Sequence, residues 1–176
     1  MSGMPSEYFY VRSYVEFEHF IDQFAASDYR FLHISCHGTD DGIALTLANV
    51  TNEELGIMLE GKLKGRRLFM SACAAVNTEL AEQLFPKSHC NSLVGPNESI
   101  GMKDVAIFWA SFYHLMFKSN SKAMKKVDLI ANLDSLAKLF SIPVKYFKKS
   151  TKRPFFSEQK LLQGSSKPTL TDIEDE

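Results

Sequence analysis

Two short stretches limit what this chain can fold into: Arg30–Gly38, RFLHISCHG, and Arg67–Cys73, RLFMSAC. Each is an apolar run of strand length flanked by polar residues, the pattern of a strand buried on both faces of a parallel sheet. Each ends in reactive side chains, His37 followed by Gly38 in the first and Cys73 in the second. In an open α/β sheet the carboxyl ends of the parallel strands face one crevice, where ligands bind. Neighbouring strands would bring His37 and Cys73 into that crevice together. A thiol beside an imidazole is the minimum equipment for nucleophilic catalysis.

The rest of the chain reads as alternating strands and helices. Tyr8–Arg12 is aromatic and β-branched, which predicts a strand. Phe17, Phe20, Ile21 and Phe24 form the stripe of an amphipathic helix, making a β-α-β unit with Phe31–Cys36. After the polar TDDG, Ile43–Leu47 predicts a short strand in an edge hairpin. Thr51 and Glu54 have the spacing of a capping box, starting a helix that runs to about Gly61. Thr78–Phe85 predicts a helix stopped by Pro86, and Ser92–Gly95 a third apolar strand before the turn Gly95-Pro96-Asn97. Val105, Phe108, Trp109, Phe112 and Met116 stripe one long helix; Leu129, Leu133, Leu136 and Phe140 stripe another, ending before Pro143. The pattern implies an α/β domain over residues 1–150, with a mostly parallel sheet covered on both faces. From about Ser150 the composition turns polar, and residues 151–176 read as a flexible tail.

Charge is unevenly spread. Residues 1–117 carry 8 basic and 14 acidic groups, 118–153 carry 10 and 2, and 154–176 carry 2 and 5. A basic block of this kind is the solvated face of helices, a docking surface for an acidic partner, or a nucleic-acid footprint. It lacks interleaved aromatics and any recognised binding motif, so nucleic acid is not expected. Cys36, Cys73 and Cys90 are too few and odd in number for a disulfide framework, which points to reduced thiols and the cytoplasm. The first twenty residues have no charged start followed by an apolar core, so no signal peptide is read, and no apolar run reaches membrane-spanning length.

A cysteine attacks as its thiolate, which a nearby imidazolium or helix amino terminus favours. Cys73 stands in a strand-to-helix turn among Ser71, Ala72, Ala74 and Ala75, which leaves room for a peptide carbonyl. Gly38 allows close backbone approach, and its N–H with that of Cys73 would supply an oxyanion hole. Pattern alone leaves the plainer reading open, since a single cysteine is commonly a small core residue and a single histidine a structural one. Cys36 reads as packing at a strand end and His33 as a core histidine. His89, Cys90 and Cys73 lack regular metal-ligand spacing, so zinc is not expected.

LHISCHG followed by LFMSAC resembles the paired blocks of the caspase-like cysteine peptidases, in which one apolar strand ends in His-Gly and a later one in Ala-Cys or Ser-Cys. The 36-residue separation of His37 and Cys73 is shorter than the roughly 50 of caspases themselves. It is similar to the CHAT branch, related to separase. The Leu-rich helix Glu53–Leu63, the strand-turn Ser92–Pro96 and the segment MKDVAIFWASFYHLMF also resemble that branch, over Tyr8 to Leu139. The resemblance implies a caspase-like three-layer sandwich and a cysteine endopeptidase working through a Cys-His dyad and a thioester acyl-enzyme. It makes Cys73 the nucleophile, His37 the acid and base, and the Gly38 and Cys73 amides the oxyanion donors. It implies chemistry without a metal or cofactor, a protein substrate and a protein activator, and a family-level role in bacterial defence or programmed death.

The chain also departs from the pattern. Caspases place Gln-Ala before the cysteine and Arg-Gly after it, whereas here Ser71-Ala72 precede and Ala74-Ala75 follow. An arginine-lined pocket is therefore not evident, Arg12 being the one candidate. Separase-like members hold a basic residue through acids after the third strand. The corresponding NESIGMKD keeps Glu98 and Asp104 as candidate substrate-binding residues, favouring a basic P1 side chain. Asp104 also suits a helix start, and Asp40 and Asp41 read as loop solubilisers. Two other readings stand beside the peptidase: an inactive caspase-like scaffold that binds partners, and an unrelated doubly wound regulatory domain.

Overall fold

A computed structural model describes residues 5–119, 124–159 and 161. Among them the elements run α1 (Tyr14–Ala26), β1 (Phe31–Ser35), β2 (His37–Thr39), β3 (Gly42–Ala44), β4 (Asn49–Thr51), α2 (Asn52–Met58), β5 (Arg67–Ser71), α3 (Thr78–Ser88), β6 (Ser92–Pro96), α4 (Met102–Ser119), α5 (Lys126–Phe140), β7 (Val144–Lys149) and β8 (Phe156–Gln159). Five strands form one sheet in the order β1-β5-β6-β7-β8, and β2-β3-β4 form a small antiparallel sheet.

The fold is α/β, but the large sheet is mixed rather than mostly parallel. β1, β5 and β6 pair in parallel, while β7 and β8 add to β6 as an antiparallel ribbon. Alternation along the strands divides the core in two. Ile34, Leu68, Met70 and Leu93 point to one side, where Phe17 and Ile21 of α1, Leu55 of α2 and Leu80 and Leu84 of α3 cover them. Phe69, Val94, Val144 and Tyr146 point to the other, under Phe108, Trp109 and Phe112 of α4 and Leu129, Leu133 and Leu136 of α5. Burying both faces is what turns β5 and β6 into near-continuous apolar runs.

The capping box at α2 is present: the Glu54 N–H donates to Thr51 Oγ1 at 3.2 Å, and the Thr51 N–H to Glu54 Oε2 at 2.8 Å. A second caps α1, between Ser13 and Glu16.

Four expectations are corrected. Tyr8–Arg12 has no strand pairing and is largely exposed, so β1 forms an edge of the sheet. Helix α3 runs through Pro86 to Ser88. The proline in the last turn removes only the bond to the Glu82 carbonyl, and the terminal carbonyls of Lys87 and Ser88 are held by the Gly61 and Leu63 N–H groups. The expected strand over Ile43–Leu47 is confined to Gly42–Ala44, with β2 and β4 on either side of it. The polar stretch after Ser150 is not all tail, because β8 lies within it and Phe156 is buried against Phe85 and Phe147. No helix among the described residues is long and apolar enough to cross a membrane.

Candidate active site

The β1–β5 ladder sets the level of both reactive residues. Ser35 pairs with Ser71, and the Cys36 N–H donates to the Ser71 carbonyl at 3.2 Å, one residue beyond the strand. His37 and Cys73 thus follow paired serines by the same two residues, on neighbouring parallel strands.

Gly38 joins the two motifs. A Cβ at that position would lie 2.6 Å from the Cys73 carbonyl oxygen, 2.9 Å from Ala72 Cβ and 3.1 Å from Ala75 Cβ. The backbone after His37 is therefore packed onto the cysteine turn, and only glycine fits there. The hairpin register adds the direction of its amide. Hydrogen bonds from Asn52 N–H to the Asp41 carbonyl and from Leu45 N–H to the Ala48 carbonyl fix which residues of β3 face β4. Gly42 and Ala44 then face β2, opposite Thr39 and His37. By alternation, the Gly38 N–H points away from β3 to the open side of β2. The Cys73 N–H makes no backbone hydrogen bond among the described residues.

The cysteine turn is strained and braced. Ala74 has φ 56°, the left-handed region that side-chain-bearing residues rarely adopt, and such outliers gather at functional sites. Its N–H donates to the Glu98 carbonyl at 3.2 Å. The Ile100 N–H points at Cys73 Sγ from 3.5 Å, and the Ile100 carbonyl is 3.6 Å from the same sulfur. The backbone of Ile100 thus meets the cysteine sulfur with both its amide and its carbonyl. Asn77 caps α3 by accepting from the Leu80 N–H at 2.9 Å. Its Nδ2 donates to the carbonyls of Ala74, at 3.2 Å, and Asp40, at 2.8 Å, while Asn52 Nδ2 donates to the same Asp40 carbonyl at 2.7 Å. Asn77 thus ties the loop after His37 to the turn after Cys73, and Asn52 ties that loop to the start of α2.

His37, Gly38 and Cys73 are brought to one end of the sheet. The exposed His37 imidazole and the half-buried Cys73 thiol do not hydrogen-bond to each other, nor does the imidazole bond to any other described residue. Glu98 enters through its backbone, its carboxylate exposed, and Asp104 lies exposed in the first turn of α4. The Arg12 guanidinium is held by Glu16 at 3.0 Å. Asp40 serves through its carbonyl, a role its sequence position did not suggest. A cavity of about 1180 Å³ between Pro5–Val11 and the edge of β1 reaches Cys36 and His37 but is not lined by Cys73. The roles of Asn52, Asn77 and Ile100 went unread in the sequence, as did the left-handed backbone of Ala74. Of these, only Asn77 had a local signal, a side chain suited to capping just before a helix.

The remaining titratable candidates are set by burial. Desolvation pushes the Cys36 and Cys90 thiols up to about 12, which keeps them protonated. His33 is pushed down to about 4, and its Nδ1 shares a 2.6 Å hydrogen bond with the Tyr113 hydroxyl. Among the described residues no group of three His, Cys, Asp or Glu side chains could hold a metal ion.

No protein-family model matches the chain, and no curated protein does.

Proposed function

We propose that the chain is a cysteine peptidase of the caspase-like kind, with Cys73 as nucleophile and His37 as its acid and base. The observation that carries this reading is the packing of Gly38 against Ala72-Cys73, which ties the His-Gly and Ala-Cys motifs into one small structure. The strained Ala74 and the outward Gly38 N–H support it.

In the proposed reaction the Cys73 thiolate adds to the scissile carbonyl carbon, and the amides of Gly38 and Cys73 receive the oxyanion. Collapse of the tetrahedral intermediate breaks the C–N bond as His37 gives a proton to the leaving amine, leaving a thioester. Water, deprotonated by His37, then hydrolyses the thioester and restores the thiol. The imidazole and thiol are expected to meet once substrate is bound, catalytic hydrogen bonds being often long before then. Glu98 and Asp104, with Asp40 and Asp41, are exposed acids in the segments around the site. They favour a protein substrate with a basic P1 residue. A protein activator that orders the dyad, and a reducing, cytoplasmic setting for the three free cysteines, complete the proposal.

A second reading, a caspase-like scaffold without activity, is favoured by the missing His37–Cys73 hydrogen bond. The test is cleavage of a fluorogenic peptide library by wild type, Cys73→Ala and His37→Ala, together with labelling by a peptidyl electrophile. Cleavage and labelling lost in both variants support the peptidase. Partner binding unchanged in Cys73→Ala, with no turnover by wild type under any condition, supports the scaffold.

A further inference from the structure

At the end of the sheet opposite the candidate site, the register gathers cations from three separate elements. Arg67, Ser92 and Lys148 stand opposite one another across β5, β6 and β7. Arg67 donates to Ser92 Oγ at 3.0 Å and to the Met124 carbonyl at 3.5 Å, which places the following Lys125 and Lys126 at this end. The Lys149 N–H donates to the Asn91 carbonyl at 3.0 Å, and the β7–β8 turn beyond carries exposed Lys152 and Arg153. Among the described residues none of Lys125, Lys126, Lys148, Lys149, Lys152 and Arg153 makes a salt bridge. Lys138 and Lys145 instead pair with Asp134 and Glu158. Acids at this end include Asp128, exposed in the first turn of α5, Glu82, which shares a shallow depression with Arg153, and the exposed Asp28, which follows the Ser27 whose carbonyl Arg66 holds. The end is strongly basic and largely uncompensated.

The chain itself contains the matching charge. Four of the five residues 172–176, namely Asp172, Glu174, Asp175 and Glu176, are acidic. They lie outside the described residues, which end at Leu161, a side chain buried with the α4–α5 core. Ten residues lie between Leu161 and Asp172, and the eleven steps of chain reach up to about 36 Å when extended. The six-residue β7 is only about 20 Å long, so the acidic segment reaches the far end of the sheet with slack.

We propose that Asp172–Glu176 folds back onto this basic end of its own chain and occupies it as a tethered, salt-sensitive ligand. Tethering supplies an effective concentration on the order of mM, so contacts too weak to hold a free peptide hold this one. Any acidic partner of the same surface must first displace it. The inference is independent of the peptidase reading.

The test uses the full chain and one variant neutralised at the segment, Asp172→Asn with Glu174→Gln, Asp175→Asn and Glu176→Gln. The probe is a fluorescent peptide of sequence TLTDIEDE added in trans and followed by anisotropy. The neutralised chain is expected to bind the peptide at least about tenfold more tightly than wild type. That binding should weaken severalfold as salt is raised across the physiological range, and be lost with Lys148→Glu and Lys149→Glu. Equal affinity in wild type and neutralised chain overturns the proposal. So does absence of binding, or binding that survives the two Lys→Glu changes. Tighter binding of a single-stranded RNA than of the peptide would make the surface a nucleic-acid site. A dimer in wild type that the neutralised chain loses would make the occupant a second copy.

Discussion

Asn77 Nδ2 donates a 2.8 Å hydrogen bond to the carbonyl oxygen of Asp40, 37 residues away. That bond couples the helix following the cysteine to the loop following the histidine. The same side chain caps α3 through its oxygen, so the two roles can be separated by substitution.

Asn77→Asp keeps the cap and removes the Nδ2 donor, whereas Asn77→Ala removes both. Denaturant unfolding should find Asn77→Ala the less stable of the two by about 1 kcal/mol. Both should slow labelling of Cys73 by a peptidyl electrophile, because both uncouple the Asp40 loop from the cysteine turn. Labelling at the wild-type rate in Asn77→Asp would show that the coupling does not matter to the thiol.

Gly38→Ala places a methyl group against the Cys73 carbonyl and Ala72, and is expected to cost about 1–3 kcal/mol of stability. It should also change the labelling rate of Cys73. Gly61→Ala is the control: it meets nothing within 4 Å but has φ +69°, so it should lose about 1 kcal/mol and leave labelling unchanged.

Ala74→Gly relieves a left-handed backbone that costs an alanine about 1 kcal/mol. A rise of a few degrees in Tm is expected, measured by thermal unfolding followed by circular dichroism. No rise would mean that the turn relaxes in solution.

His33 gives the fold a pH dependence of known sign. Burial lowers its folded pKa from 6.5 to about 4, so between these values the unfolded chain binds the extra proton. Its stabilising contribution is complete above about pH 6.5 and is lost as pH falls toward 4. The full loss is up to about 3 kcal/mol. Urea midpoints at pH 7 and pH 5 should differ more for wild type than for His33→Leu. Equal differences would place His33 in water.

The parts of the fold legible in the sequence are those whose pattern is set locally. β1, β5 and β6 are apolar because both faces are covered, and α4 and α5 carry stripes that no other structure explains. β7 and β8 escaped because Lys145, Lys148 and Lys149 interrupt the apolar positions of a ribbon at the outer side of the sheet. Tyr8–Arg12 has strand chemistry, but its backbone runs beyond a cavity from β1 instead of along it. Residue type tells what a segment can pair with and not whether the partner comes within reach.

The candidate site divides in the same way. His37, Gly38 and Cys73 stand at the ends of legible strands. Asn52 and Ile100 act through one carbonyl and one sulfur supplied from elsewhere in the chain, and nothing in their neighbours' identities announces it.

The open side of β1 gives the sheet an edge along which a further strand could add. At the other margin the short edge strand β8 carries the charged Glu158. Along β1 the even-numbered residues are engaged with β5, as the Arg30 carbonyl and Cys36 N–H contacts fix. Phe31, His33 and Ser35 therefore turn their backbone groups to the aromatic-walled cavity. Where crowding or heat forces these molecules together edge to edge, the seam opens here, alongside His37. Loss of soluble protein and loss of the candidate site would then be one event.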